Sequence, residues 1–310
     1  MTPVRTSASL VASVDDVQQR LDAEGYVADR GLAVAVYLAL TLRRPLFLEG
    51  EAGVGKTAVA RVIASALGTE LIRLQCYEGL DVHHAVYEWD YARQLLELRL
   101  LEAVHAVDRT RARAELFSEA FLIRRPLLRA LQGAPGRPPV LLIDEIDRAD
   151  EEFEGYLLEL LSEFKITIPE IGTIAAVEPP IVVLTSNRTR EVHDALKRRC
   201  LYRWIDYPSF EKELAIVARA VPAAAAALAE QATAVVQELR TAELYKTPGV
   251  SETLDWVAAL VALDRDAVAL DAVEDTLGVL LKAREDIEAI RGERLAALLS
   301  RAMSRGVRRD

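Results

Sequence analysis

Residues Gly50–Thr57 read GEAGVGKT and match the phosphate-binding pattern G-x-x-x-x-G-K-[ST] in full. The apolar run Pro45–Glu49 precedes this octapeptide and predicts a buried strand, and Thr57–Leu67 follows it with the pattern of a helix that ends at Gly68. A chance match in a glycine-containing turn is the alternative, and average residue usage gives it odds on the order of 1%. The motif therefore predicts a nucleoside triphosphate site.

The residue types of this motif suit a phosphate chain. Glycines let consecutive backbone N–H groups turn toward phosphate oxygens, and a helix N-terminus favours an anion. Lys56 is expected to bring a positive charge to the β- and γ-phosphates, and Thr57 a hydroxyl to Mg²⁺. The predicted ATP-binding loop comprises Gly50, Glu51, Ala52, Gly53, Val54, Gly55, Lys56 and Thr57.

A second motif predicts hydrolysis as well as binding. The apolar run Val140–Ile143 predicts a strand, and it ends in Asp144 and Glu145. In a parallel sheet the carboxyl end of a strand faces the ligand crevice. We therefore expect Asp144 to hold Mg²⁺ through water and Glu145 to orient and polarise the attacking water. The alternative is an exposed acidic turn, because more acids follow closely, but the upstream loop favours the catalytic interpretation.

Two later segments add polar groups. Ile181–Ser186 predicts a buried strand that is followed by Asn187, whose amide can hydrogen-bond the attacking water or the γ-phosphate without adding charge. His193–Cys200 predicts a short helix that carries Arg198 and Arg199 near its end. Taken alone, an Arg-Arg pair is typical of a solvated helix end.

The order of these elements along the chain resembles the AAA+ ATPases, and finer details resemble their MoxR branch. The resemblance covers about Gly25 to Leu263, and three segments carry the finer likeness: Leu71–Asp81, Asp144–Ala149 and Leu157–Glu163. Within the branch, the looser similarity of Tyr77–Arg99 is closest to the CoxD-type proteins that accompany molybdenum–copper carbon monoxide dehydrogenase.

The resemblance implies a role for each motif residue. Gly50–Thr57 corresponds to Walker A, Asp144 and Glu145 to Walker B, and Asn187 to sensor 1. The arginine finger, which completes the site of a neighbouring subunit, corresponds to Arg199, with Arg198 as the fallback.

Two further features of the family concern the nucleotide. The stretch around Tyr26 and Val27 would lie against the adenine. The family's sensor 2 arginine has no counterpart, because Thr247–Thr253 contains no Arg and Lys246 is only a weak substitute.

The resemblance also implies partners and cofactors. We expect ATP and Mg²⁺ as cofactors. We also expect the chain to form a ring-shaped homo-oligomer of six subunits. A von Willebrand A-domain adaptor would connect this ring to a metalloenzyme client, a molybdenum hydroxylase such as carbon monoxide dehydrogenase. The activity would be that of a chaperone that remodels the client for assembly of its active site.

The whole chain predicts an α/β fold, in which a AAA+ P-loop core with a doubly wound parallel sheet is followed by a smaller all-helical lid. Residues 1–24 are expected to form a leader and a helix, 25–206 the nucleotide-binding core, and 207–310 the lid and a tail. The predicted strands of the core are Leu46–Glu49, Leu71–Cys76, Val140–Asp144, Ile181–Ser186 and Leu201–Asp206.

Two stretches exceed a minimal core. One lies within residues 77–139 and matches the helix-2 insert of the MoxR-containing clade. The other, Lys165–Ile174, alternates with period two around a Pro-Glu-Ile-Gly turn and predicts a hairpin, the pre-sensor-1 hairpin of that clade, within about residues 165–180. In that clade both features project toward the central pore. Four aromatic residues of the first stretch fit core packing and client contact equally: Tyr77, Tyr87, Trp89 and Tyr91.

Composition bounds the possible functions. Lys and Arg number 38 against 48 Asp and Glu, for a formal net charge of −10, which argues against a sequence-independent grip on nucleic acid. Cys76 and Cys200 are predicted to be free and buried, and we expect a cytoplasmic protein without a secretion signal or a membrane span. His83-His84 predicts a solvated turn rather than a metal site. One group of arginines predicts a solvated helix face: Arg109, Arg111, Arg113, Arg124, Arg125 and Arg129.

Three functions remain open on these grounds. The first is a remodelling ATPase for a metalloenzyme. The second is a nucleic-acid motor or loader on the same core, against which the acidic balance counts. The third is a nucleotide-dependent scaffold with little turnover, which Glu145 and Asn187 oppose and the missing sensor 2 arginine favours.

Overall fold

The computed structural model describes residues 10–103 and 115–306 of the chain. They divide into two compact units. The core unit comprises the residues up to Arg20 together with Asp29–Glu49 and Thr57–Trp204, and the helical unit comprises Leu21–Ala28, Gly50–Lys56 and the residues from Ile205 onward. The domain bounds predicted above stay a prediction.

The strands alternate with helices along the first two thirds of the chain. The strands are β1 Leu46–Gly50, β2 Leu71–Gln75, β3 Tyr87–Trp89, β4 Leu122–Arg124, β5 Val140–Asp144, β6 Lys165–Ile168, β7 Gly172–Ala175, β8 Ile181–Ser186 and β9 Leu201–Ile205. The helices of this part are α1 Val14–Ala23, α2 Arg30–Leu42, α3 Lys56–Leu67, α4 Val82–Val86, α5 Tyr91–Ala103, α6 Pro126–Leu131, α7 Glu151–Glu163 and α8 Asp194–Arg199.

Five of these strands form the parallel sheet, in the order β2-β5-β8-β1-β9. Every residue of β1 and β5 is buried, since helices cover both faces of such a sheet and its inner strands are continuous apolar runs. The edge strand β2 alternates instead, and Arg73 in its middle is exposed. The predicted α/β fold, a doubly wound parallel sheet followed by a helical region, is confirmed.

The register aligns the carboxyl ends of the strands. Glu49 pairs with Ser186, Gln75 pairs with Asp144, and Ile143 pairs with Leu184. The segments that follow β1, β5 and β8 therefore leave the sheet at the same edge, where open α/β sheets bind their ligands.

The stretch between β2 and β5 forms a small subdomain on the core. β3 and β4 pair antiparallel, and Trp89 is 7% exposed, with its ring edge-on to Phe117. Tyr77 and Tyr91 are by contrast 46% and 67% exposed, so the aromatic residues divide between packing and surface.

The predicted solvated face of six arginines is only partly described. Arg109, Arg111 and Arg113 lie outside the described residues. Three further arginines form ion pairs with exposed glutamates: Arg124 with Glu119, Arg125 with Glu88, and Arg129 with Glu70.

Two local predictions can be compared with the fold. The residues of Lys165–Ile174 form the antiparallel hairpin β6–β7, and Gly172 after its turn has φ 105°. His84 lies in the short helix α4 rather than in a turn, because Asp81 caps that helix by accepting a hydrogen bond from the His84 backbone N–H at 2.8 Å. The described residues contain no group of three or more His, Cys, Asp or Glu side chains able to hold a metal ion.

The helical unit contains α9 Phe210–Ala220, α10 Ala226–Leu239, α11 Val250–Ala262, α12 Leu270–Leu280, α13 Arg284–Ile290 and α14 Glu293–Gly306. Trp256 is fully buried in its core and donates from Nε1 to the Thr276 hydroxyl at 2.8 Å. α12 begins only at Leu270, and before it Asp264 adopts a left-handed φ of 54° and the Val268 N–H donates to the Gln231 side chain. No helix within the described ranges has both the length and the apolar character needed to cross a membrane.

Candidate nucleotide-binding site

The loop Gly50–Lys56, part of the helical unit, has the backbone shape that a phosphate cradle requires. Gly53 and Gly55 have left-handed φ values of 75° and 92°, which favour glycine. A Cβ at Gly50 would lie 2.2 Å from the Ile205 carbonyl oxygen, so a side chain cannot be accommodated there. Lys56 is 6% exposed, and its ammonium donates to the Gly50 and Glu51 carbonyls at 2.8 and 2.6 Å.

The N-terminus of α11 contacts this loop within the helical unit. The Val250 and Ser251 N–H groups donate to the Gly53 carbonyl at 2.9 and 3.4 Å. A Cβ on Gly249 would lie 2.8 Å from the Ala52 carbonyl oxygen, so the close approach depends on a residue without a side chain.

The same segment corresponds to the sensor 2 position of the family that the chain resembles and contains no arginine. In Thr247–Thr253 the charged side chain next to the loop is that of Glu252. Its carboxylate accepts a hydrogen bond from the Gly249 N–H at 2.9 Å. Lys246 is exposed, and its backbone N–H donates to Asp286. The nearby Arg240 is bound to the buried Glu213.

Tyr26, one of the two residues predicted at the adenine, lies close to the loop within the helical unit, and Val27 follows it in sequence. The Tyr26 hydroxyl lies 3.9 Å from the position of a Cβ on Gly55, and both Tyr26 and Val27 are half-buried. The role of either residue toward adenine stays a prediction.

Asp144, at the carboxyl end of β5, is the most enclosed acid of the predicted site. It is 2% exposed, and its Oδ1 accepts hydrogen bonds from the Thr57 hydroxyl at 3.0 Å and the Thr185 hydroxyl at 2.6 Å. The buried carboxylate thus connects the first turn of α3 with the neighbouring strand β8. Hydroxyl and carboxylate oxygens are also the ligands that Mg²⁺ prefers, so Thr57 and Asp144 fit the ion.

Arg73 occupies the other oxygen of this carboxylate. From the middle of β2 its Nε and Nη2 donate to Asp144 Oδ2 at 2.9 and 2.5 Å. Sequence reasoning assigned no role to Arg73. A charged residue inside an otherwise apolar strand was the available signal, because a cation there needs an anionic partner.

Glu145 follows Asp144 in a left-handed conformation, with φ 56° and ψ 52°. Its N–H donates to the Thr185 hydroxyl at 2.9 Å, so Thr185 bonds both acids of the motif. The Glu145 side chain is 30% exposed and forms an ion pair with Arg148 at 3.1 Å. Left-handed backbone at a residue other than glycine stores strain, and such strain concentrates at functional sites.

Asn187 is held by a buried acid that the sequence reasoning did not single out. Asp147, 2% exposed, accepts hydrogen bonds from the Asn187 N–H at 3.2 Å, from the Thr189 N–H at 2.8 Å and from the Thr189 hydroxyl at 2.6 Å. The half-buried Asn187 therefore has its backbone fixed to the segment that follows Glu145.

Arg198 and Arg199 lie in the last turn of α8, and both side chains are exposed. Within residues 10–103 and 115–306 neither guanidinium has a salt-bridge partner. The structure thus brings Thr57, Asp144 and Glu145 together around Thr185 and links Asn187 to them through Asp147, whereas the arginine pair points to solvent from a separate helix.

Cys76 lies directly after β2, in a buried position close to the negative charge of Asp144. Burial raises the pKa of the Cys76 thiol to about 12, and the negative charge of Asp144 adds to the increase. Cys76 and Cys200 are both free and buried. Neither thiol is ionised near neutral pH, so neither is set up as a nucleophile.

Residues 45–200, half of the chain, match the family model described as AAA domain (dynein-related subfamily). The chain belongs to this family of AAA+ ATPases. Nucleotide binding and Mg²⁺-dependent ATP hydrolysis are properties of the family, and its members typically oligomerise. The matched residues include the loop, the Asp144-Glu145 pair, Asn187 and the arginine pair.

One curated relative of the AAA+ chain is distant in sequence. The uncharacterized protein YeaC of Bacillus subtilis (strain 168) is 26% identical over 197 residues, which are 62% of this chain and 52% of YeaC. The chain thus spans about half the length of this curated relative.

Solved structures of Thermotoga maritima RuvB are also similar. The Holliday junction branch migration motor is 19% identical with a TM-score of 0.45 and covers 84% of this chain and 69% of its own. A variant of the same RuvB is 20% identical with a TM-score of 0.47 and covers 87% of this chain and 72% of its own. At this level of similarity neither structure bears on what the AAA+ chain binds or moves.

Proposed function

We propose that this AAA+ chain hydrolyses ATP, with Glu145 orienting and polarising the attacking water and Asn187 contributing a neutral hydrogen bond to the water or the γ-phosphate. The observation that carries the proposal is the buried Asp144, whose Oδ1 lies 3.0 Å from the Thr57 hydroxyl and 2.6 Å from the Thr185 hydroxyl. Bound Mg²⁺ would neutralise charge on the phosphate oxygens. Thr57 would bind the ion directly and Asp144 through water.

The remaining contacts to ATP would come from the loop Gly50–Thr57. Its left-handed Gly53 and Gly55 suit a loop whose backbone N–H groups turn toward phosphate oxygens. Lys56 holds its positive charge within the loop by bonds to two carbonyls. Tyr26 and Val27 would contact the adenine, which agrees with the position of the Tyr26 hydroxyl near Gly55.

The active species in this proposal is a ring, with six subunits. Arg199, or Arg198 in its place, would act as the finger on the γ-phosphate bound by the next subunit. Exposure of both side chains at the end of α8, without salt-bridge partners in the described ranges, supports such a role. A finger must be free in the single subunit in order to bind an anion at the interface.

The biological role that we propose is maturation of a metalloenzyme by a MoxR-type chaperone of the CoxD kind. Its support is the likeness of Leu71–Asp81 and Tyr77–Arg99 to those proteins, together with the β3–β4 subdomain and the β6–β7 hairpin. Residues 25–206 would be the nucleotide-binding core, 207–310 the lid and tail. A von Willebrand A-domain adaptor would connect the ring to a molybdenum hydroxylase client, such as carbon monoxide dehydrogenase.

Steady-state ATP turnover with matched variants tests the chemistry. Glu145→Gln should keep ATP bound and nearly abolish turnover, since an amide preserves the shape but cannot polarise water. Lys56→Ala should weaken nucleotide binding itself. The control is Glu151→Gln, an exposed acid in the first turn of α7, which should leave turnover unchanged. Native turnover by Glu145→Gln would refute the assignment of the catalytic carboxylate.

A deletion strain tests the biological role. An ATP-driven ring can do work on a trapped client, whereas binding alone only shifts an existing equilibrium. Without this protein the client should be synthesised and folded but lack its complete metal cluster, and metal analysis of the purified client measures this. Complete clusters in the deletion strain would refute maturation, and strongly salt-dependent binding to DNA by the purified ring would favour the motor instead.

A further inference from the structure

Arg44, between α2 and β1, binds the end of the helix that carries the two exposed arginines. Its Nη2 donates to the carbonyl of Arg198 at 2.8 Å and to that of Cys200 at 3.4 Å, and its Nε donates to the carbonyl of Arg199 at 3.2 Å. One guanidinium therefore contacts three consecutive carbonyls. They belong to residues that lie 154 to 156 positions later in the chain. The last carbonyls of a helix have no partner within it, so a cation here satisfies them.

The backbone on either side of this contact is fixed as well. Directly after Arg44, the Pro45 carbonyl accepts a hydrogen bond from the Leu201 N–H at 2.7 Å. At the other end of α8, Glu154 accepts from the His193 N–H at 2.8 Å, and Leu196 in the middle is fully buried. A helix of six residues is too short to be stable alone, so these contacts determine its direction.

Arg44 joins a cluster of cations at the end of α8. The last turn of α8 already carries Lys197, Arg198 and Arg199, and Arg44 adds a fourth cation beside them. A neutral side chain could satisfy a carbonyl without repulsion. The planar guanidinium differs in that its several fixed donors hold three carbonyls in one geometry.

We propose that Arg44 is a positioning residue for the arginine finger: by holding the carbonyls of residues 198–200, it directs Arg199, or Arg198, at the γ-phosphate of the neighbouring subunit. The proposal rests on the finger in trans that is proposed above. Arg44 is not itself the finger, because its Nε and Nη2 are bound to carbonyls of its own chain.

The fall in kcat expected for Arg44→Ala lies between no effect and the effect of losing the finger. Loss of a finger costs roughly 10³–10⁵ in rate, and a misplacement of about 1 Å costs up to about 10². Arg44→Ala keeps the finger but releases the helix end. We expect its kcat to fall on the order of 10²-fold or less, with the Kd for a fluorescent ATP analogue unchanged, and Arg199→Ala to be more severe.

Arg43→Ala is the matched control. It removes the same charge one residue earlier, from an exposed side chain whose ion pair with Glu178 is 3.7 Å long and does not involve α8. Its kcat should stay near that of the unmodified protein. Arg44→Lys is a second variant that keeps the charge, and its kcat should be intermediate, since one ammonium cannot reproduce the planar contact with three carbonyls.

Mixed assemblies separate a finger defect from a defect in the subunit's own nucleotide site. Glu145→Gln subunits have a dead site and an intact finger, so mixing them with Arg44→Ala subunits should restore turnover. Mixing Arg44→Ala with Arg199→Ala should restore none, because neither supplies a directed finger. The opposite pattern would place the Arg44 defect in its own site and overturn the proposal.

Two controls distinguish the possible failures. Arg199→Ala mixed with Glu145→Gln tests the finger in trans alone, and if an assembled mixture shows no recovery, both the finger and the Arg44 proposal fall. Recovery in that mixture without recovery of Arg44→Ala refutes only the Arg44 proposal. Circular dichroism and light scattering accompany each variant, and loss of folding or assembly by both Arg44→Ala and Arg44→Lys would assign Arg44 to stability instead.

Discussion

At the scale of single residues, the contact between Arg73 and Asp144 decides how the predicted metal ligand is presented. Asp144 Oδ2 receives two hydrogen bonds from the guanidinium, while Oδ1 receives those of Thr57 and Thr185. All the bonds that this 2% exposed carboxylate needs are therefore supplied by protein groups. A Mg²⁺ ion at this site would therefore compete with the Arg73 guanidinium for the Asp144 carboxylate.

Removal of Arg73 should lower the Mg²⁺ concentration needed for nucleotide binding. Arg73→Ala takes away the competing charge. Because it removes two hydrogen bonds from a buried carboxylate that keeps two hydroxyl donors, we expect a stability loss of about 1–3 kcal/mol. Titration of Mg²⁺ against a fluorescent ATP analogue measures the first effect, and urea unfolding the second. Arg129→Ala, which breaks the exposed pair with Glu70, is the control and should leave the Mg²⁺ titration unchanged. An unchanged midpoint in Arg73→Ala would show that the two cations do not compete.

At the scale of secondary-structure elements, a buried ionic network connects three helices of the helical unit. Glu213 of α9 is fully buried, and its carboxylate accepts from the Arg240 guanidinium at the end of α10 and from the Thr253 hydroxyl of α11. Arg240 also donates to the Pro248 carbonyl at 2.8 Å and lies over the ring of Tyr207. The segment that begins α11, and that contacts Gly53 of the loop, is thus held by this network.

Breaking this network should be costly. Glu213→Ala leaves the Arg240 cation buried without its counter-charge, and loss of one partner of a buried pair costs about 3–5 kcal/mol. We expect a lower denaturation midpoint together with weaker nucleotide binding, since α11 contacts the loop. The matched change is Asp271→Ala, which breaks an exposed pair with Arg265 and should cost less than about 1 kcal/mol. Equal effects of the two substitutions would show that burial of the pair contributes nothing.

At the scale of the whole molecule, the proposed finger acts between subunits, and turnover should therefore depend on assembly. In the proposed mechanism a single subunit supplies the phosphate-binding loop, Asp144, Glu145 and Asn187, but not the arginine that acts on its own γ-phosphate.

Turnover per subunit should accordingly rise with protein concentration and fall again on dilution. Parallel light scattering measures the fraction of assembled protein, and the two curves should coincide. Arg199→Ala, assembled to the same extent, should remain slow at every concentration because finger loss costs roughly 10³–10⁵ in rate. Constant turnover per subunit across the assembly transition would place all the catalytic groups within one chain.

The sequence alone determined the fold class and the positions of the motifs, because these depend on local patterns. Local patterns predicted all five strands of the sheet to within one residue at their ends. The inner strands were the plainest, since inner strands of a parallel sheet are buried on both faces. The loop Gly50–Thr57 and the Asp144-Glu145 pair were readable for the same reason.

Only the tertiary structure decided which side chains serve these motifs. Arg73 binds Asp144, 71 residues away, because the order β2-β5-β8-β1-β9 makes β2 and β5 neighbours. Asp147 binds the backbone of Asn187 across 40 residues, and Arg44 binds the end of α8 across 155. Strand order is set by the burial of the whole sheet rather than by any local pattern. The physical reason is that a charged side chain in an apolar strand requires a polar or charged partner, which the local sequence shows. Which residue becomes that partner depends on the tertiary fold.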